Sequence, residues 1–182
     1  GSITSCYEDY FSKIDNSDGD IGNNNFFILG TPRSGTTLIE SFISSNDEVT
    51  SAGELTSANR LIEKFINKPD NDSLDDFTNN FRTTYLNRTD FLRGGFKYVV
   101  DKLPENFLFI GYLTKLLPRA KIIRTFRNPW DVAVSLYKQR YVTNIPYSAS
   151  FFNIGVFMSN FEVVNNYWSE HLKKTKNLLD VR

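Results

Sequence analysis

The sequence predicts an α/β fold in three layers, α/β/α, around a mostly parallel central sheet. Three observations predict it. Short apolar runs rich in strand formers alternate with longer amphipathic stretches of helix length. The first run ends in a glycine-containing loop that opens a helix. The polar residues of chemical interest, Arg33, Ser34, Lys102 and Arg127, fall after such runs, where parallel sheets place their ligands.

Residues 1–25 are polar and turn-rich and read as a lead-in, in which Gly1-Ser2 resembles a cloning scar. A single domain is expected over residues 26–182. Its first strand is 26–29, followed by a helix over about 35–45 with Leu38, Ile39, Phe42 and Ile43 on one face. The stretch DEVTSAGEL reads as a short strand or turn that presents Glu54. Two helices are expected over about 56–67 and 73–86, split by NKPDND. The next strand is 96–100, ended by DKLP. A helix over about 104–117 begins at Pro104, where the missing N–H costs nothing, and stops at Pro118. Strand 121–126 leads to a helix opened by Pro129. A long aromatic helix over 150–174 precedes the start of a further strand, NLLDVR.

Composition narrows the function classes. Lysine and arginine, 21 together, balance 21 acidic residues, which argues against a protein built to coat nucleic acid or an anionic membrane. Hydrophobic residues at 40% and aromatics at 15% support a folded core. The lone Cys6 excludes an internal disulfide, and with His171 the only histidine no metal site is expected. No apolar run reaches the length of a membrane span and no signal peptide is visible, so the expected setting is cytoplasmic unless a targeting segment has been trimmed. The glycosylation sequons at Asn71 and Asn87 are too short a motif to argue secretion.

The sharpest signal is FFILGTPRSGTTLIES. Gly30 and Gly35 are spaced as in a nucleotide-binding phosphate loop, but Thr36 stands where the defining lysine belongs. Successive N–H groups from Arg33 to Thr37 at a helix N-terminus make a concave anion site. Gly35 lets the backbone approach a ligand, Thr36 and Thr37 add hydroxyls, and Arg33 adds a fixed charge. In RTFRNPWDVAVSLYKQ, Arg127 ends a strand and Ser135 lies eight residues on. Alone, that pair is a weak signal, read more readily as a salt-bridged arginine beside a solvent-facing serine than as a phosphate grip.

Together these stretches carry a resemblance. TPRSGTTL is similar to the 5′-phosphosulfate loop of sulfotransferases that use 3′-phosphoadenosine-5′-phosphosulfate (PAPS), and RNPWDVAVS to their 3′-phosphate motif. VVDKLPENFLFIGYLTKLLPRAKIIRTFRNP resembles the bacterial and tyrosylprotein branch, and the likeness covers residues 26–168. It implies a P-loop NTPase-like fold, with Arg33, Ser34, Gly35, Thr36 and Thr37 around the 5′-phosphosulfate and Arg127 and Ser135 on the 3′-phosphate. It places Glu54 at the general base, which takes the acceptor's proton. Lys102, at the position where many cytosolic members carry a histidine, and Arg33 would stabilise charge on the transferring group. PAPS is then the donor, 3′-phosphoadenosine-5′-phosphate (PAP) the product, and no metal is called for. The acceptor would be a hydroxyl of a carbohydrate, a peptide tyrosine or a small alcohol. The aromatic run from Tyr137 to Trp168 reads as core or as acceptor pocket.

The family's pattern continues past NLLDVR into segments that complete the acceptor side and the 3′-phosphate site. The resemblance therefore implies a domain lacking its usual C-terminal portion, with a homo-oligomer or a completing partner as expectations. Two rival readings stay open: a module that binds PAPS or PAP without turnover, and a P-loop kinase or NTPase using ATP and magnesium, with Asp101 as the metal ligand.

Overall fold

Strand β1 (Asn25–Gly30) forms the centre of a five-stranded sheet with β2 (Val49–Ser51), β3 (Tyr98–Lys102), β4 (Lys121–Thr125) and β5 (Leu178–Val181), in the order β2-β3-β1-β4-β5. The computed structural model describes residues 2–12, 14, 19–68, 73–139, 146–173 and 175–182; the NKPDND break and the Asn71 sequon fall largely or wholly outside them. Every neighbouring pair in the sheet is parallel. Parallel strands need crossover helices, and these cover both faces.

The strand period of two sorts the apolar residues onto those faces. Phe27, Leu29 and Ile122 point into the larger core, built with α1 (Ser2–Cys6), α3 (Ser57–Asn67), α4 (Leu74–Arg93), α5 (Ile110–Leu116) and α7 (Phe151–His171). Ile28, Val100 and Ile123 point the other way, against Ile39 and Ile43 of α2 (Thr36–Ile43). Helix α6 (Pro129–Gln139) packs on α7 through Val132, Leu136 and Ile154. The outer side of α2 leaves Leu38 and Phe42 exposed, at 73% and 77%.

Several elements differ from the sequence-based expectation. The N-terminal segment is not only a polar lead-in: α1 and a π-helical turn (Tyr7–Phe11) bury Cys6, Tyr7 and Phe11 in the main core. Ile3, Tyr7, Tyr10 and Phe11 fall at helical spacing, a signal masked by their polar neighbours. Helix α4 extends to Arg93 because Phe81, Tyr85 and Thr89 keep a buried stripe going, and its start is capped by the Ser73 hydroxyl accepting from the Asp76 N–H at 3.1 Å. The segment from Pro104 begins as a 3₁₀ turn (Pro104–Phe109) and becomes α-helical only at Ile110. Strand β3 runs through Lys102, so Asp101 and Lys102 are its last residues rather than the start of a loop. That two-residue extension decides where both side chains point.

Candidate functional site

Gly30 and Thr125 are register partners at the ends of β1 and β4. A Cβ on Gly30 would lie 2.5 Å from the Thr125 carbonyl oxygen, so only glycine lets the two strand ends close. Ser34 completes this closure. Its hydroxyl donates to the Thr31 carbonyl at 2.6 Å and lies 2.6 Å from Thr125 Oγ1. Ser34 is buried and bonded inward, so it pegs the loop instead of offering its hydroxyl to a ligand. The Ser34 N–H also donates to the Thr31 carbonyl, at 3.1 Å. The open run of amides therefore starts at Gly35, two residues later than the sequence suggested.

Gly35 sits at φ 98° as the residue before α2, a conformation that suits glycine, and a Cβ there would meet nothing. The loop thus leaves free space above the first turn of α2, where N–H groups lack partners within the helix. Arg33 takes φ 72°, uncommon outside glycine, and this turns its side chain across the loop. Its Nε donates to Ser135 Oγ at 2.9 Å. Arg127 Nη1 donates to the Arg33 carbonyl at 3.4 Å and its Nε lies 3.7 Å from Asp131 Oδ2. Arg33, Gly35, Thr36, Thr37 and Arg127 line a cavity of about 200 Å³. Two motifs about a hundred residues apart in sequence therefore form one cationic cluster.

A second cluster lies on the β2–β3 side. Lys102 is register partner to Ile28 and points to the α2 face, with its side chain only 11% exposed. Its Nζ lies 2.5 Å from Glu54 Oε1 and 3.8 Å from Glu40 Oε2. Glu40 Oε1 in turn accepts from the Ser51 hydroxyl at 2.5 Å, and that hydroxyl accepts from the Gly53 N–H at 3.0 Å. The lysine is thus aimed by two carboxylates and held from the strand behind it. Sequence reasoning named Lys102 and Glu54 but missed Glu40; its signal was the spacing of four from Thr36, which puts both on one side of α2.

Asp101 occupies the opposite face of β3. It is 2% exposed, accepts from the Tyr85 hydroxyl at 2.7 Å, and lies 3.3 Å from the Leu55 N–H. Burial pushes its carboxyl up to about 7, against the lowering effect of those two hydrogen bonds. Strand alternation therefore removes it from the phosphate loop, and the magnesium-ligand role considered for a kinase has no geometric support. Among the described residues no cluster of metal-binding side chains occurs. His171 lies at the end of α7, its ring tilted against Tyr167 and its Nδ1 2.9 Å from the Tyr167 carbonyl.

Within the aromatic run, Phe161 and Trp168 are buried in the main core, and Tyr147 stacks on Phe157. Phe126, Met158 and Phe161 line a cavity of about 440 Å³ that reaches Thr31 and Arg127.

The parallel α/β/α sheet thus carries a lysine-free glycine loop with arginines converging on it at the strand ends. Residues 25–182 match the sulfotransferase family, and the chain belongs to that family. It is 30% identical to an uncharacterized protein of Aquifex aeolicus (strain VF5), over 78% of this chain and 21% of that protein. Its fold is similar to sulfotransferase STF9 from Mycobacterium avium (TM-score 0.54, 14% identity, covering 99% of this chain and 63% of that one). It is similar also to mouse sulfotransferase SULT7A1 complexed with PAP (TM-score 0.53, 19% identity, covering 98% and 58%). The chain spans about a fifth of the curated relative and about three-fifths of these two structures. No described helix is long and apolar enough to cross a membrane.

Proposed function

We propose that this chain binds PAPS and moves its sulfuryl group to an acceptor hydroxyl by in-line transfer. The observation that carries the reading is the hydrogen bond from Arg33 to Ser135, which joins the two anion motifs into one site. The donor set fits the ligand: two arginines, two threonine hydroxyls and the open amides of α2 face a cavity suited to phosphate-type anions. Arg127 and Ser135 hold the 3′-phosphate. Gly35, Thr36 and Thr37 cradle the 5′-phosphosulfate, and Ser34 supports them from beneath. When bound, PAPS supplies an activated sulfuryl group on a phosphate leaving group.

The chain's own groups then divide the work. Glu54 takes the proton of the acceptor hydroxyl as that oxygen attacks. Lys102, freed from its ion pair with Glu54 as that carboxylate is protonated, stabilises charge on the transferring group and the leaving phosphate. Glu40, 3.8 Å away, keeps the ammonium aimed. Arg33 contributes charge from the loop. The site so described calls on no metal.

The acceptor is a hydroxyl of a carbohydrate, a peptide tyrosine or a small alcohol, and the proposed setting is the cytoplasm. Association with a second copy is proposed, and α2 offers the exposed Leu38 and Phe42 as an apolar contact. One observation favours the alternative of a PAPS- or PAP-binding module without turnover: the proposed base is already engaged by Lys102. Labelled sulfate transfer from PAPS to an acceptor panel decides between them, with Glu54→Ala and Lys102→Ala in parallel. The reading expects transfer by the parent chain and its loss in both variants. Parent-level activity in both would remove the catalytic assignments, and PAP binding with no transfer to any acceptor would favour the module.

A further inference from the structure

The segment that carries Glu54 is tied to β3 at three points. The Ala52 N–H donates to the Val100 carbonyl at 2.8 Å, and the Lys102 N–H donates to the Gly53 carbonyl at 2.9 Å. Both are backbone bonds, available to any sequence in this register. The third is different: the Leu55 N–H reaches the Asp101 carboxylate at 3.3 Å, the one bond to the segment's backbone among the three that depends on a side chain. The other oxygen of that carboxylate accepts from Tyr85, itself fully buried and stacked between Phe27 and Phe81.

The surroundings are otherwise apolar. Asp101 is the register partner of Phe27, so it faces the main core, where a carboxylate is costly to hold. What it gains there is geometry. Asp101 and Lys102 are consecutive residues on opposite faces of β3, and they grip consecutive residues of the facing segment: Asp101 the Leu55 backbone, Lys102 the Glu54 side chain. Glu54 has a side chain 55% exposed, so burial does not fix its place. The peptide that follows it does.

We infer that Asp101 is a positioning residue, which, held by Tyr85, fixes the Leu55 amide and thereby sets the Glu54 carboxylate against Lys102. The inference rests on the proposed role of Glu54 as the base. A small displacement of such a group costs about 10- to 100-fold in rate without altering donor binding. Asp101→Ala should therefore lower kcat by about that factor, leave PAP affinity within about twofold, and speed amide exchange at Leu55. Asp101→Asn keeps an acceptor for the Leu55 amide and a donor for the Tyr85 oxygen, and should restore most of the activity. Tyr85→Phe, which removes one hydroxyl from a site that otherwise keeps its shape, should show a smaller fall in kcat with the same unchanged PAP affinity.

Three results would overturn the inference: kcat unchanged in folded Asp101→Ala, PAP affinity falling in step with kcat, or Asp101→Asn as impaired as Asp101→Ala. If Asp101→Ala does not fold, Tyr85→Phe decides, and unchanged kcat and Leu55 exchange in it would overturn the inference. Glu54→Ala separates this outcome from failure of the functional reading. Full activity in Glu54→Ala removes the base itself, whereas loss there beside an unaffected Asp101→Ala removes only the positioning role.

Discussion

The two halves of the site are built in different ways. On the β2–β3 side, Lys102 is part of a strand, 11% exposed in its side chain, and braced by Glu40 and Glu54. On the β4 side, Arg127 lies beyond its strand with a side chain 47% exposed, contacting a loop carbonyl at 3.4 Å and Asp131 at 3.7 Å. The first half is more buried and more tightly bonded than the second. Chemistry is sensitive to placement by fractions of an ångström, whereas gripping a phosphate tolerates movement by long, exposed side chains. On the proposed function, turnover falls to the more buried half and affinity to the more exposed one.

That division can be broken most decisively at Lys102. Lys102→Ala should lower turnover by about 10²–10³-fold, the loss usual for a preorganised group that stabilises developing charge, while PAP affinity measured by calorimetry changes little. A comparable loss of PAP affinity would erase the distinction between the halves. Next in size is Arg127→Ala, expected to weaken PAP binding by about 10- to 100-fold, as for a hydrogen bond to a charged group. A kcat measured at saturating donor should stay near that of the parent.

Ser135→Ala sharpens the comparison on a smaller scale. Loss of a neutral hydroxyl that contacts Arg33 should weaken PAP binding by a few-fold, about 1 kcal/mol, with no effect on kcat at saturation. The smallest effect on function, and a readable one on stability, is expected from Asp101→Asn. The folded pKa of Asp101, about 7, lies above the ordinary 3.8, so the folded protein holds this proton to higher pH than the unfolded chain does. Burial of the ionised group therefore costs stability progressively as pH rises from about 4 to about 7, and fully above that, by an amount on the order of a few kcal/mol. Thermal unfolding of the parent should show this decline, and Asp101→Asn should flatten it.

The alternation of strands and helices and the glycine loop were legible because each rests on a local pattern, period and glycine spacing, whereas the Arg127–Ser135 pair stood out only through the family resemblance. What escaped depended on which way a strand residue points. Reading β3 as ending at Val100 left Asp101 and Lys102 as loop neighbours with interchangeable surroundings, and two more residues of strand put them on opposite faces. Ser34 looked like a ligand because it sits inside the motif, yet its hydroxyl is used up by Thr31 and Thr125, the latter 91 residues away. Tyr85 gave no signal at all, since its partner is known only once α4 packs on the sheet. Arg33 was read as part of the glycine loop alone, and its Nε also donates to Ser135, 102 residues away.

The central claim is that the two motifs form one site for a 3′-phosphorylated nucleotide, and calorimetric titration with PAP and with ATP plus magnesium tests it most directly. The account predicts that PAP binds more tightly than ATP, and that Arg127→Ala removes this preference by lowering PAP affinity alone. ATP with magnesium binding more tightly than PAP, or an Arg127→Ala chain that binds PAP as the parent does, would contradict it.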